Sequence, residues 1–164
     1  MMTKSVEHGQ LTVEHDFAYP LERVYAAWTT PEAKSRWFAQ TGDNDFIDSQ
    51  AQYSLDFRVG GTEHVVGRLK NGKQLRIETR FWDIVPEERI VATYDVLLDD
   101  RRLSVSLYSV LFIRTDSGTK LITIEDGAFL DGLDDAENRT EGVTWDMDNL
   151  EKYLAATEPA VATA

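Results

Sequence analysis

The sequence contains no cysteine and only three histidines among its 164 residues. Disulfides, thiolate zinc sites and cysteine nucleophiles are therefore excluded. Basic residues are also scarce, since 17 Lys and Arg stand against 29 Asp and Glu and the formal net charge is −12. Such a charge repels the phosphate backbone of nucleic acids and the surface of anionic lipids. We expect no nucleic-acid partner.

Long apolar runs are absent as well. No stretch approaches the roughly 20 apolar residues of a membrane-spanning helix, and residues 1–10 lack the apolar centre of a secretory signal. We therefore expect a soluble, cytoplasmic protein without membrane insertion. The composition, 42% hydrophobic and 28% charged, fits one domain with a substantial core. We assign residues 11–156 to this domain and interpret residues 1–10 and 157–164 as flexible ends.

Alternation of apolar and polar residues, the period of a strand with one buried face, dominates the chain. After the first strand the period changes to that of a helix, and Pro20 and Pro31 suit the first turns of two short helices. For the last strand both faces are partly apolar, so the pattern does not decide whether Glu125 points inward. The predicted strands cover residues 11–17, 53–59, 62–69, 75–82, 90–98, 103–114 and 120–126.

A longer helix is predicted over residues 136–156. Val143, Met147, Leu150 and Leu154 form one apolar stripe, and their burial stabilises the fold by roughly 6–12 kcal/mol before the entropy cost. Asp134 with Glu137, or Asn138 with Glu141, forms a candidate helix start. The polar residues of this helix are expected largely on its other faces: Asp146, Asp148, Asn149, Glu151 and Lys152.

This order of elements predicts an α+β fold of the helix-grip type. A curved antiparallel sheet of about seven strands wraps around the long C-terminal helix, and two short helices follow the first strand. A curved sheet seldom fits flush against a helix, so the space between them can remain open as a pocket.

Several motifs in this order resemble the activator-of-Hsp-ATPase homologue branch of the SRPBCC (START-related) superfamily over residues 11–154. The resemblance implies the helix-grip fold with a hydrophobic cavity between the sheet and the last helix. The motifs are Pro20-x-x-x-Val24-x-x-Ala27-Trp28-Thr29-x-Pro31-Glu32, Trp37-Phe38, Asp56-x-Arg58-Val59-Gly60-Gly61, Ile84-Val85-Pro86-Glu87-x-Arg89-Ile90-Val91, Gly118-Thr119 and Met147-Asp148-Asn149-Leu150-x-x-Tyr153-Leu154.

The sequence departs from that family at the start of the last helix. Arg139 stands where members usually carry a histidine, and Gly142-Val143 replaces a Gly-Trp pair. Trp145 is the nearest residue able to fill the missing volume. A pocket role that depends on the family histidine therefore does not carry over.

The candidate cavity residues are mostly aromatic, which suits a flat or lipid-like ligand. The alternative interpretation is that each is an ordinary core residue. Trp37 and Phe38, next to a polar loop, are the candidate gate. The full ligand-binding set is Trp28, Trp37, Phe38, Tyr53, Phe57, His64, Phe81, Tyr94, Tyr108, Met147 and Leu150.

Signals for catalysis and metal binding are weak. The sequence has no nucleophile elbow and no glycine-rich phosphate loop, and His64 as an acid or base competes with a structural role. The acidic stretches at residues 43–48 and 131–137 lack the glycine and terminal glutamate of a calcium loop. We predict no catalytic residue, metal or cofactor.

Three functions remain open. The first is non-catalytic binding of a small hydrophobic or amphipathic ligand by a carrier or sensor of the stress-response type. The second, implied by the resemblance, is a protein-interaction module that modulates a chaperone ATPase, with a chaperone or another protein as partner. The third is a cavity enzyme resembling polyketide cyclases or hydrolases. The oligomeric state is not encoded in any pattern we recognise.

Overall fold

The computed structural model describes residues 4–39 and 51–157, so the predicted polar loop and most of the predicted C-terminal tail lie outside it. Within these residues the predicted fold class is confirmed. One antiparallel sheet has the strand order β1-β7-β6-β5-β4-β3-β2. The strands are β1 Val6–Phe17, β2 Gln52–Leu55, β3 Thr62–Arg68, β4 Gln74–Val85, β5 Arg89–Leu98, β6 Arg101–Thr115 and β7 Gly118–Leu130; the helices are α1 Leu21–Thr29, α2 Pro31–Lys34 with a following π-helical segment Ser35–Ala39, and α3 Ala136–Ala156.

Strand β1 begins earlier than the sequence pattern indicates. Val6 is paired with Leu130, and the ladder continues without a break to the pair of Phe17 and Thr119. The prediction of a flexible N-terminus is therefore wrong for residues 6–10. Their side chains are mostly exposed and carry no apolar alternation, but their backbone groups pair with β7 and hold the segment in the sheet.

Strand β2 is shorter than predicted, because the chain turns between Asp56 and Gly61. Gly60 has φ +82°, and a Cβ on Gly61 would lie 2.0 Å from the carbonyl oxygen of Asp56. Only glycine fits both positions. The turn is fastened to the sheet because Phe81 donates its backbone N–H to the Gly61 carbonyl at 3.1 Å.

The ladder of the sheet has two irregularities. Trp82 is an extra residue of β4 opposite β5, and Leu103 is an extra residue of β6 opposite β5. Such bulges bend a strand and increase its twist. Alternate residues along the strands are buried on the concave face, which gives the one-sided burial that the alternation predicts.

Helix α3 has the predicted bounds but a different cap. The Asp135 carboxylate accepts a hydrogen bond from the backbone N–H of Asn138 at 2.8 Å, so the cap is neither Asp134 nor Asn138. Of the predicted stripe, Met147, Leu150 and Leu154 are buried and Val143 is half-buried. The principal packing partners of α3 are β1 and the π-helical segment. Within residues 4–39 and 51–157, no helix is long and apolar enough to cross a membrane.

Arg23 ties α1 to the end of α3. Its Nη2 atom donates to the carbonyl oxygen of Leu154 at 2.6 Å and also to the carbonyl of Thr157. The last carbonyls of a helix have no partner within the helix, and a cation there also offsets the negative end of the helix dipole. This contact joins two residues that are 131 positions apart in the sequence.

We predict that Arg23→Met lowers the free energy of unfolding by about 1–3 kcal/mol, because it leaves these carbonyls without a charged donor. Urea unfolding monitored by circular dichroism measures the change. Arg76→Met, at an exposed position of β4, is the matched control and should change stability by less than about 0.5 kcal/mol. Equal stability of the two variants would contradict the assignment.

Candidate functional site

A cavity of about 680 Å³ lies between the concave face of the sheet and α3. Its apolar lining consists of Trp28, Trp37, Phe38, Leu75, Ile77, Tyr94, Val96, Tyr108, Val143, Trp145 and Met147. Its polar lining consists of Lys34, Glu63, Thr79, Thr123, Glu125, Asp134, Asn138, Arg139, Glu141 and Asp146. Asn138, Glu141 and Gly142 are exposed residues of α3, so the cavity reaches solvent beside the first half of this helix.

A buried ion pair joins α3 to β7. Arg139 Nη1 donates to Glu125 Oε2 at 2.8 Å, and only 9% of Arg139 and 1% of Glu125 is exposed. The Tyr94 hydroxyl donates to Glu125 Oε1 at 2.6 Å, and Ser106 Oγ donates to Oε2 at 2.8 Å. Both carboxylate oxygens of Glu125 are therefore satisfied, as burial of a charge requires.

The other side of the Arg139 guanidinium is also occupied. Its Nη2 atom donates to Ser104 Oγ at 2.6 Å and to Asp134 Oδ2 at 2.9 Å. Burial alone lowers the pKa of Arg139, but Tyr94, Glu125 and Asp134 outweigh it and raise the pKa above its usual range. Burial and the nearby Glu125 likewise raise the pKa of Tyr94, against the influence of Arg139. Arg139 therefore stays charged and Tyr94 stays a hydrogen-bond donor.

A second buried ion pair joins α2 to β3. Lys34 Nζ lies 2.8 Å from Glu63 Oε2, and both residues are 2% exposed. The hydroxyl of Tyr53 also donates to Glu63, and burial together with this carboxylate raises the pKa of Tyr53 far above its usual value. Lys34 Nζ lies 4.7 Å from the centre of the Trp28 ring and 5.0 Å from that of Phe38, within cation–π range.

Asp146 borders the cavity and belongs to neither ion pair. No hydrogen bond joins its carboxylate to another residue of the described parts of the chain. Burial raises the pKa of Asp146 to about 7; Glu63 and Glu125 add to this rise, while Lys34 and Arg139 oppose it. Asp146 is half-buried: its accessible surface faces the cavity, and protein surrounds the cavity at this point. The cavity thus contains a carboxyl group that changes charge near neutral pH.

Two described residues of the cavity lining have a buried polar atom without a hydrogen-bond partner. Within the described residues nothing hydrogen-bonds Trp28 Nε1 or Thr123 Oγ1, and both residues line the cavity. Buried polar atoms without a partner are uncommon in folded proteins.

The structure brings six of the eleven predicted residues to the cavity and places five elsewhere. The six are Trp28, Trp37, Phe38, Tyr94, Tyr108 and Met147. Phe81 and Leu150 belong to the packed core, and Tyr53 lies behind Glu63. Phe57 contacts Tyr25 and Phe81 and lines a separate surface depression.

His64 lies on the outer face of the sheet, so its assignment to the cavity is wrong. It contacts Thr62 Oγ1 at 3.2 Å and lies 3.8 Å from Glu78. The physical reason is the two-residue period of β3, in which Glu63 and Val65 point inward and His64 points outward. The inward residue of the Glu63-His64 pair is the acid.

Trp37 is buried and does not stand at the cavity entrance as a gate would. It is 1% exposed, and its Nε1 atom donates to the carbonyl of Ala27 at 2.9 Å. From the π-helical segment the ring points into the core, where its centre lies 5.2 Å from that of Trp28. Phe38, which is half-buried, is the more exposed member of the pair.

None of the charged cavity residues was predicted from the sequence. For Glu125 the pattern left open whether the side chain points inward. A signal for three of them exists in the sequence. Lys34 lies three and four residues before Trp37 and Phe38, and Arg139 and Asp146 lie four residues before and three after Val143. These spacings put a helical residue on the same face as its apolar neighbours. The expectation that Asp146 lies away from the apolar stripe is wrong for this reason.

The acidic stretch at residues 131–137 is occupied by structural contacts. Asp131 accepts the backbone N–H of Ser5 at 2.9 Å, Asp134 binds Arg139 and Asp135 caps α3. In the described part of the chain no three His, Cys, Asp or Glu side chains are grouped so that they could hold a metal. The other acidic stretch, residues 43–48, lies outside the described residues.

A curved antiparallel sheet that grips a C-terminal helix around an internal cavity defines a helix-grip domain of the SRPBCC (START-related) class. More narrowly, the chain belongs to the family described as Activator of Hsp90 ATPase homolog 1-like protein, whose model matches residues 18–155. The predicted family is confirmed.

Solved structures of similar proteins share this fold. A protein from Rhizobium leguminosarum is 38% identical with a TM-score of 0.87, and the alignment covers 94% of this chain and 99% of that protein. Mll3558 from Rhizobium loti is 34% identical with a TM-score of 0.81, covering 91% and 99%. CV1439 from Chromobacterium violaceum, at 23% identity and a TM-score of 0.70 over 92% and 98%, shows the fold alone. No curated protein matches the sequence.

We predict that Arg139→Met destabilises the protein by about 3–5 kcal/mol, because Glu125 is left buried without its counter-charge. Adding Glu125→Gln should restore part of this loss, since an amide costs less to bury than an unpaired carboxylate. Urea unfolding of the single and double variants measures the coupling. A double variant less stable than Arg139→Met alone would contradict the ion-pair assignment.

We predict that Asp146→Asn stabilises the protein at alkaline pH. The ordinary pKa is 3.8, so between about pH 4 and pH 7 the folded state holds a proton that the unfolded state has released. Stabilisation from Asp146 is therefore present at low pH and lost as the pH rises through 7. At about pH 8.5 the variant should exceed the wild type by about 1–4 kcal/mol, and the difference should shrink towards pH 4.

Urea unfolding at several pH values between about 4.5 and 8.5 tests this pH dependence. Asp148→Asn, on the exposed face of the same helix, is the control and should follow the wild type at every pH. A constant difference between Asp146→Asn and the wild type across this range would contradict the raised pKa.

Proposed function

We propose that this protein binds a small amphipathic molecule with a flat apolar body in the cavity between the sheet and α3, and acts as a carrier or sensor. The observation that carries the proposal is the cavity itself. Its volume of about 680 Å³ lies within the range of small-molecule sites. Any cavity in a core lowers the stability of the folded state, because the residues that line it lose packing contacts that a filled interior would have.

The composition of the lining supports an amphipathic ligand. Aromatic rings of Trp28, Tyr94 and Tyr108 offer a large apolar surface, and charged groups lie at defined places among them. The unpaired Trp28 Nε1 and Thr123 Oγ1 supply further reasons for a polar ligand atom or water in this region. A purely apolar ligand would leave these groups and the Asp146 carboxylate unsatisfied.

The family description also suggests docking on a chaperone ATPase. A module of that kind needs no internal space and acts through an exposed patch. The cavity therefore favours ligand binding over docking as the function of this domain.

A cavity enzyme is the second candidate, and Asp146 is the observation that favours it. A carboxyl group with a pKa near 7, inside a cavity and without a hydrogen-bond partner in the described chain, has the properties of a general acid or base. Turnover of a bound ligand that disappears in Asp146→Asn while binding persists would establish this role. Recovery of the ligand unchanged from both proteins would reject it.

We predict that occupancy of the cavity is blocked by Ile77→Trp, in which the larger ring fills space on the concave face of β4. Sterols, fatty alcohols and aromatic polyketides are screened by thermal shift, and native mass spectrometry detects co-purifying ligands. For the wild type, a ligand at about 100 times its Kd should raise Tm by about 5–10 °C. Ile77→Trp should abolish this rise.

The matched control is Leu107→Trp, which introduces the same ring on the outer face of β6, where Leu107 is 46% exposed. This variant should respond to ligand as the wild type does. An unchanged response in Ile77→Trp, or a loss of response in both variants, would reject the cavity as the binding site.

A further inference from the structure

We propose that the cavity selects a ligand with a cationic head group, an ammonium or similar amine, and that Asp146 is its counter-ion. This inference rests on the proposed function and specifies the ligand class. It follows from which charges of the cavity are already paired and which one is not.

The cations of the cavity are committed to carboxylates of the protein. Among the described lining residues these cations are Lys34 and Arg139. Lys34 is held by Glu63 at 2.8 Å, and Arg139 is held by Glu125 at 2.8 Å and by Asp134 at 2.9 Å. An anionic ligand would have to share each cation with a carboxylate that already neutralises it, so it gains little net charge attraction there. Fatty acids and other carboxylates are therefore poor ligands.

The remaining charges of the lining are acidic. Two carboxylates lie beyond the ion pairs: Glu141 at the exposed mouth and Asp146 deeper inside. Two cations therefore face five carboxyl groups around the described lining, namely Glu63, Glu125, Asp134, Glu141 and Asp146. A monocation entering this space reduces an excess of negative charge, whereas an anion increases it.

Asp146 is the group suited to bind the head group directly. Its carboxylate has no hydrogen-bond partner in the described chain and borders the open volume. The titratable and charged groups around this part of the cavity are Lys34 of α2, Glu63 of β3, Tyr94 of β5, Tyr108 of β6, Glu125 of β7, and Asp134, Arg139 and Glu141 in and before α3. The charged residues among them form ion pairs within the protein, apart from Glu141 at the mouth of the cavity.

Proton linkage gives this interaction a signature. The raised pKa of Asp146 means that the carboxyl is partly protonated at neutral pH, and a cation binds best to the ionised form. Binding of an ammonium group therefore expels a proton, and its affinity rises with pH until Asp146 is fully ionised. Affinity for an uncharged ligand of the same shape shows no such rise.

The test uses three probes that share one flat body: 1-naphthylmethylammonium, 1-naphthylmethanol and 1-naphthoate. Isothermal titration calorimetry of the full chain at about pH 8 gives the three Kd values. We expect the ammonium to bind at least about tenfold more tightly than the alcohol, and the alcohol more tightly than naphthoate, since tenfold corresponds to a modest charge interaction. Lowering the pH to about 6 should weaken only the ammonium.

Two variants locate the effect. Asp146→Asn should reduce the affinity for the ammonium to that for the alcohol and leave the alcohol within about threefold of the wild type. Asp148→Asn, an exposed neighbour on α3, should keep the wild-type order. The neutral probe checks that Asp146→Asn retains an intact cavity.

The outcomes separate this inference from the proposed function. If the alcohol binds but naphthoate binds as well as the ammonium, or if Asp146→Asn keeps the preference for the ammonium, the cationic head group is wrong while ligand binding stands. If none of the three probes binds the wild type, both proposals fail for flat aromatic ligands.

Discussion

The structure depends on the buried pairing of Arg139 with Glu125. This pair links the first half of α3 to β7, and Tyr94, Ser104 and Ser106 extend the contact to β5 and β6. A buried ion pair is stable only when its geometry is satisfied on all sides, and this one is. The pair therefore holds α3 and the sheet at a set distance through a polar contact. Direct apolar packing at this place would have closed the space between them.

The Lys34–Glu63 ion pair links α2 to β3 in the same way. Together the two pairs place fixed charges in the wall of a cavity that is otherwise mostly apolar. Because each cation is paired with a carboxylate of the protein, we infer that the cavity disfavours anions although it contains lysine and arginine. Beyond the ion pairs the described lining has two carboxylates, Glu141 at the mouth and Asp146 inside, and burial raises the pKa of Asp146 to about 7. Under the proposed function, the choice of ligand follows from which ion pairs are completed.

Arg139 organises the polar contacts around the start of α3. The overall architecture matches relatives that are 38% and 34% identical. A guanidinium has several donors in a rigid fork, and here it engages Glu125, Asp134, Ser104 and Tyr94 at once. The helix terminus, the sheet and the loop before α3 are joined through this one side chain.

The sequence by itself determined the order of the strands, the short helices and the bounds of α3, because apolar periodicity of two or 3.6 residues is a local property. It did not determine the ends of β1 and β2. The family was indicated by the resemblance of its motifs. The sequence also determined much of the aromatic wall, including Trp28, Phe38 and Tyr108. The tertiary structure decided the polar half of the site. Glu125 meets Arg139 across 14 residues and Glu63 meets Lys34 across 29, through contacts between separate elements. Periodicity does not encode where two elements cross, and the pKa of Asp146 depends on groups from four of them.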